Sequence, residues 1–177
     1  KALTFAMGRK QGKTLTNDTG TIIDHADVRR MLMIMKSKTY ASRAICLATA
    51  VAIDMSNASK EEFWINRAAL LTPIAKSFGT ETGIEVSNLG IQIHGGMGFV
   101  EETGAAQYWR DVRVTSIYEG TNGIQAIDLV SRKLMDGGES AIHLITEIQE
   151  LITSDCSNIT GFNQELKSAA DILTNAT

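Results

Sequence analysis

From residue 24 onward, apolar side chains recur three and four positions apart rather than two. Val28, Met31, Leu32 and Met35 are followed by Ile45, Ala48, Ala52 and Met55. That is the stripe of one long amphipathic helix, with Asp24 as its expected N-cap. Asn57 to Lys60 reads as a short turn in which Ser59 supplies a cap. A second long stripe then runs through Trp64, Ala68, Leu71, Ala75, Phe78, Thr82, Val86, Leu89 and Ile93. Pro73 lies inside it, so a kink is expected there, or a fresh helix capped by Thr72. Two long antiparallel helices joined by a tight turn begin a helix bundle.

Around this pair the patterning is shorter. Residues 1–12 read as a helix end, with Leu3, Met7 and Lys10 on one stripe and Gly12 as its stop, and 13–23 read as a loop. A helix is expected from Glu101 or Glu102 to about Asp111, then extended linker or helix end over 112–118. Another should run from Asn122 to Met135 and end at Asp136-Gly-Gly138. Two more are expected over 139–153, carrying Ile142, Ile145 and Ile152, and over 162–175, carrying Phe162, Leu166, Ala169 and Leu173. No run alternates convincingly beside a partner strand. The fold class is therefore all-α: an antiparallel four-helix-type bundle with extra C-terminal helices.

Composition narrows the function classes. The 177 residues carry 17 Lys+Arg against 20 Asp+Glu, a net charge of −3, which gives no footprint for nucleic acid. No apolar run approaches a membrane span. Cys46 and Cys156 stand far apart without a CxxC pair, which favours a reducing compartment and no metal site. The Met31, Met33, Met35 cluster reads as core filler. His25 and His143 read as surface histidines, and the three Asn-x-Ser/Thr triplets (at Asn17, Asn57 and Asn158) as chance. The chain opens as though inside a helix, so a piece of a longer polypeptide is expected.

Chemistry concentrates between Ile91 and Gln125. The run Gln92-Ile-His-Gly-Gly-Met-Gly-Phe99 sets glycines at a helix end, where backbone can approach a ligand or simply cap the helix. In Tyr118-Glu-Gly-Thr-Asn-Gly-Ile-Gln125, Asn122 and Gln125 have capping-box spacing. That box does not need Glu119, Gly120 or Gly123. A carboxylate beside apolar groups and glycine is a candidate general base, its pKa raised by its surroundings. Arg110-Asp111 reads as a structural ion pair. Neither HExxH nor GxSxG occurs.

These segments, in this order and spacing, resemble the C-terminal domain of acyl-CoA dehydrogenases. The resemblance extends to Arg9-Lys-Gln-Gly12, where the family's Phe is missing, to His25–Leu32, to Leu71–Lys76 and to Asp128–Leu134. The last three are similar to the longer bacterial branch that includes 3-methylmercaptopropionyl-CoA dehydrogenases.

The resemblance implies residues 1–136 as the helical bundle and 137–177 as an additional helical extension, with N-terminal and middle domains absent. It implies FAD, contacted by Arg9, Gln92, His94, Gly95, Gly96, Thr121, Asn122 and Gly123. The family's Ser-Gln pair is replaced here by Asn122-Gly123. It implies Glu119 as the base that removes the α-proton of an acyl-CoA, Gly120 as a substrate contact, and hydride passing to the flavin. Electrons would leave to an electron-transfer flavoprotein. The full protein would be a homodimer or homotetramer, in bacterial cytoplasm or, in a eukaryote, the mitochondrial matrix. The 177-residue piece alone is expected to be inactive and to expose apolar surface. Acyl-CoA oxidase, or a non-catalytic assembly or regulatory module on the same scaffold, are the alternatives.

Overall fold

The structure is a computed structural model that describes residues 1–14, 20–135, 137–154 and 162–176. Asn17, Asp136, Cys156 and Asn158 lie outside the described residues. The described chain is helical, without a strand: α1 Ala2–Gly8, α2 Ala26–Ser59, α3 Glu62–His94, α4 Gly96–Phe99, α5 Ala105–Arg113, α6 Asn122–Asp128, α7 Glu139–Ser154 and α8 Asn163–Ala176. The chain divides into two compact units, one of residues 1–48 and 75–124, the other of 49–74 and 125–177.

In the first unit, α2 and α3 run antiparallel: the Met35 methyl lies against Gly90, Lys38 pairs with Glu85, and Ser42 approaches Gly79. The core there is Ala2, Ala6, Ile22, Met31 and Ile93, flanked by Phe5, Val28, Leu32, Met35 and Leu89. The stripe expected on α1 is therefore corrected. Small Ala2 and Ala6, one turn apart, let the helix pack closely, while Leu3 and Met7 face outward. The helix also stops at Gly8, before Gly12. Arg9 to Gln11 instead bond to Gly20 and Ile22, with Ile22 N–H donating to the Arg9 carbonyl at 2.8 Å.

Asp24 is not the cap of α2. It lies buried in a 3-10 turn, Ile22–Asp24, and helical bonding starts when Arg29 N–H donates to the His25 carbonyl. Of the three methionines, Met31 is buried and Met35 packs beside it, but Met33 is exposed. His25 is half-buried rather than a plain surface histidine: its ring lies beside Gly12 and its Nε2 lies 3.0 Å from the Gln11 carbonyl oxygen.

The helix expected to begin at Glu101 or Glu102 begins at Ala105, after a 3-10 turn and Gly104. Of the two readings of 112–118, extended linker or helix end, the second holds: Val112 and Arg113 close α5, and a second 3-10 turn, Val114–Ser116, follows. The segment's alternating apolar residues have no neighbouring strand, so the backbone closes on itself: the Val114 carbonyl accepts from Ile117 and Tyr118. Arg110 and Asp111 do not pair with each other; both engage Gln107, three residues before one and four before the other.

The second unit packs Ala52 against Ala68 and Leu71, beside Trp64 and Leu144. The turn expected over Asn57–Lys60 is shorter, because α2 continues to Ser59; that residue closes the helix, its Oγ accepting from Glu61 N–H at 3.2 Å. Pro73 neither ends α3 nor starts a new helix. It is buried, and Thr72 caps nothing; its hydroxyl donates to the Ala68 carbonyl at 2.7 Å.

The long helix expected from Asn122 to Met135 is shorter: α6 passes into a π-helical turn, Leu129–Lys133. The wider turn lets Asp128 meet both Arg132 (3.0 Å) and Lys133 (3.9 Å), four and five residues on. Ile145 and Ile152 of α7 are buried and Ile142 is exposed. On α8 the buried residue is Ala170, and the expected Leu166 and Leu173 are exposed. There the periodic pattern named the wrong side.

Candidate active site

Two sets of predicted residues lie in the first unit. The first is at the end of α3. His94 is the last helical residue and is buried. Its Nδ1 lies 2.6 Å from the Gly90 carbonyl, to which it donates, and its ring stacks on Phe5 at 4.4 Å. The bond fixes the ring's orientation and leaves Nε2 as its free nitrogen.

Gly95 has φ 59°, ψ −140°, a conformation open only to glycine. A side chain added at Gly95 or Gly96 would meet nothing within 4 Å, so both present bare backbone to open space. Gly98 is a different case: a Cβ there would lie 2.3 Å from the Ile91 carbonyl oxygen. Its role is close packing of α4 on α3.

Around these residues lies a cavity of about 410 Å³ lined by Phe5, Arg9, Gln11, Ile22, Ile93, His94, Gly95, Gly96 and Met97. The predicted Arg9, His94, Gly95 and Gly96 thus come together. Gln92 does not join them; it is exposed on the last turn of α3. The lining offers a guanidinium, a fixed imidazole and bare backbone beside apolar walls. That donor set suits the phosphates and adenosine portion of a dinucleotide.

The second set precedes α6. Glu119 has φ 54°, one of two described non-glycine residues with positive φ, and Gly120 follows at φ 82°. Two successive left-handed residues reverse the chain sharply and set Glu119 on the outside of the turn. The carboxylate is exposed. The apolar enclosure expected around it is not supplied by the described residues.

Thr121 caps α6, its hydroxyl accepting from Ile124 N–H at 3.3 Å. This corrects the capping-box reading, which starts one residue too late. Asn122, in the first helical turn, faces α3: it accepts from Lys76 Nζ at 2.9 Å, donates to Glu81 at 2.7 Å and meets the Thr80 hydroxyl. Lys76 Nζ also donates to the Gly120 carbonyl at 2.7 Å.

Lys76, Thr80 and Glu81 were not among the residues singled out for the site. The available signal was a polar patch at i, i+4 and i+5 beside the apolar stripe of α3. Among the described residues, the shift in acidity lies elsewhere. Arg67 makes a two-pronged bond to Glu147 at 2.6 and 2.9 Å and, through it, holds that carboxyl below its ordinary range against the opposing effect of burial.

Residues 9–135 match the C-terminal domain of acyl-CoA dehydrogenases. The chain is 46% identical over 147 residues to the 3-methylmercaptopropionyl-CoA dehydrogenase of Ruegeria pomeroyi, covering 79% of this chain and 25% of that one. It is 35% identical over 169 residues to the broad-specificity linear acyl-CoA dehydrogenase FadE5 of Mycobacterium tuberculosis, covering 89% and 28%. It therefore spans about a quarter of the length of these relatives. The crystal structure of Caenorhabditis elegans ACDH-11 in complex with C11-CoA superposes on 98% of this chain and 29% of its own, with a TM-score of 0.80 at 20% identity. That likeness concerns the fold. A helical pair carrying a glycine-lined cavity and a strained acidic turn, in a sequence that matches the family over most of its length, belongs to the acyl-CoA dehydrogenase family as its C-terminal domain.

Proposed function

We propose that this chain is the C-terminal part of an FAD-dependent enzyme that introduces an α,β double bond into an acyl-CoA thioester. The observation that carries this reading is the conformation of Glu119. A non-glycine residue in the left-handed region costs about 1–2 kcal/mol. The fold sustains that cost at the one acidic residue where the family resemblance puts a base.

In this mechanism Glu119 accepts the α-proton on a carboxylate oxygen, while Gly120 lies against the substrate. A thioester α-proton is very weakly acidic, so abstraction also needs hydrogen bonds to the thioester oxygen and exclusion of water. This chain leaves Glu119 open, so the cover belongs to the rest of the polypeptide or to a second copy.

FAD, when bound, accepts the hydride that leaves the β-carbon. Arg9, His94, Gly95 and Gly96, which line the 410 Å³ cavity, would hold its adenosine diphosphate portion. Thr121 and Gly123, at the start of α6, would contact it, and Asn122 would act there chiefly through its hold on α3. Exposed Gln92 serves the cofactor of a second copy in a homodimer or homotetramer. Electrons leave to an electron-transfer flavoprotein, in bacterial cytoplasm or a mitochondrial matrix.

The test is Glu119→Gln in the full polypeptide. Turnover should fall on the order of 10²–10⁴-fold with flavin content unchanged. Dehydrogenation at the wild-type rate would remove Glu119 as the base. Peroxide formed in step with product would make the enzyme an oxidase instead.

A further inference from the structure

We infer that Lys76 is a positioning residue that holds the Glu119 turn in its reactive geometry, an inference that rests on Glu119 being the base. Glu119 and Gly120 are successive left-handed residues, and the Glu119 side chain is exposed. Such a turn does not hold itself. What ties its far side is one ammonium group. Lys76 Nζ, partly buried on α3, donates to the Gly120 carbonyl at 2.7 Å and to Asn122 Oδ1 at 2.9 Å.

Those acceptors lie one and three residues beyond the base, so the pair spans the reversal from turn to helix. Glu81 holds the other end of the Asn122 amide at 2.7 Å, and Thr80 lies against it, which keeps the amide oxygen turned toward Lys76. The Gly120 carbonyl is a main-chain atom. Fixing it fixes the Gly120–Thr121 peptide plane and so restricts the rotation of Gly120, through which the Glu119 side chain could otherwise swing.

A neutral apolar residue at 76 would release both bonds without touching the carboxylate. A misplacement of about 1 Å at a reacting group lowers rates roughly a hundredfold. The effect should fall on proton removal and spare affinity, because Lys76 meets the turn from the α3 side rather than meeting the thioester.

The experiment uses the full polypeptide with flavin bound and compares Lys76→Met, Lys76→Arg and Glu119→Gln. Two quantities are read: kcat and KM with an acyl-CoA, and solvent exchange of the α-hydrogens of an acyl-CoA analogue with sulfur in place of the β-carbon. The analogue has no β-hydride to give, so exchange reports the base alone.

Lys76→Met should lower kcat and exchange together by about tenfold or more, with KM and flavin content little changed. Lys76→Arg, which keeps the cation, should recover part of both. A Met variant with wild-type kcat and exchange, or one that changes only KM, overturns the proposal. If Lys76→Met does not retain flavin, Lys76→Arg decides: lowered kcat and exchange with unchanged KM support it, and wild-type values overturn it. Wild-type exchange in Glu119→Gln would instead refute the base assignment, independently of what Lys76 does.

Discussion

Glu119 and Lys60 share a backbone conformation and differ in purpose. Both have positive φ, 54° and 61°. Lys60 sits between α2 and α3, where the chain must reverse and glycine would serve better. Lys60→Gly should therefore raise the unfolding free energy, read as a higher urea midpoint, by up to about 1 kcal/mol less the unfolded-state entropy glycine adds. Turnover of the full enzyme should not change. Glu119→Gly should raise the midpoint similarly and abolish turnover. A lowered midpoint for both variants would mean that the strain argument is wrong.

Gly98 makes the opposite case, since a methyl group there meets the Ile91 carbonyl oxygen at 2.3 Å. Gly98→Ala should destabilise the first unit by about 1–3 kcal/mol, as overpacking does, measurable as a lower melting temperature. None of these three costs can be read from the residue names. Each depends on a φ value or on a carbonyl several residues away.

Between elements, the Arg67–Glu147 contact joins α3 to α7 in the second unit. The Arg67 side chain is 11% exposed and that of Glu147 45%. The glutamate's folded pKa is lowered, so its contribution is present at pH values above its unfolded pKa and is lost as pH falls through the folded one. Glu147→Gln should cost about 1 kcal/mol at neutral pH, since half-exposed pairs contribute little and a mostly buried arginine loses its partner. The difference between variant and wild type should shrink as pH drops below the ordinary carboxylate range. A difference that is constant across that range would show that charge is not its source.

The same scale shows where periodicity succeeds. Along α3 the expected Ala68, Leu71, Thr82 and Ile93 are all buried. Over thirty-three residues the 3.6-residue repeat averages out local exceptions. On seven-residue α1 and fourteen-residue α8 it does not, and there alanines rather than leucines face inward. Short helices dock where small residues permit close approach, which a hydrophobicity stripe does not weigh.

For the molecule as a whole, no large side chain among the described residues is fully buried, while Phe99, Met135, Val130 and Met33 are 82%, 74%, 66% and 66% exposed. Apolar surface on that scale associates. The 177-residue chain on its own should self-associate with rising concentration in sedimentation velocity, and added acyl-CoA and FAD should give no turnover. A monomer across the accessible range would show that this surface is tolerated in water. No described helix is long and apolar enough to cross a membrane, so these residues do not form a helical span.

The sequence by itself determined the helical class, the two long helices and their antiparallel turn, because a repeat sustained over thirty residues has one economical explanation. It also determined the family, through the spacing of Gln92–Phe99 and Ile117–Gln125. Tertiary structure alone decided that Arg9 shares a cavity with His94, Gly95 and Gly96, and that Asn122 turns toward α3. It decided that Lys76, forty-three residues before Glu119, grips the turn that carries it. Such contacts join residues far apart in the chain, and no local pattern records which distant side chain a backbone carbonyl will meet. In the proposed function the stretch from Ile91 to Gln125 holds the chemistry, and residues outside it aim that chemistry.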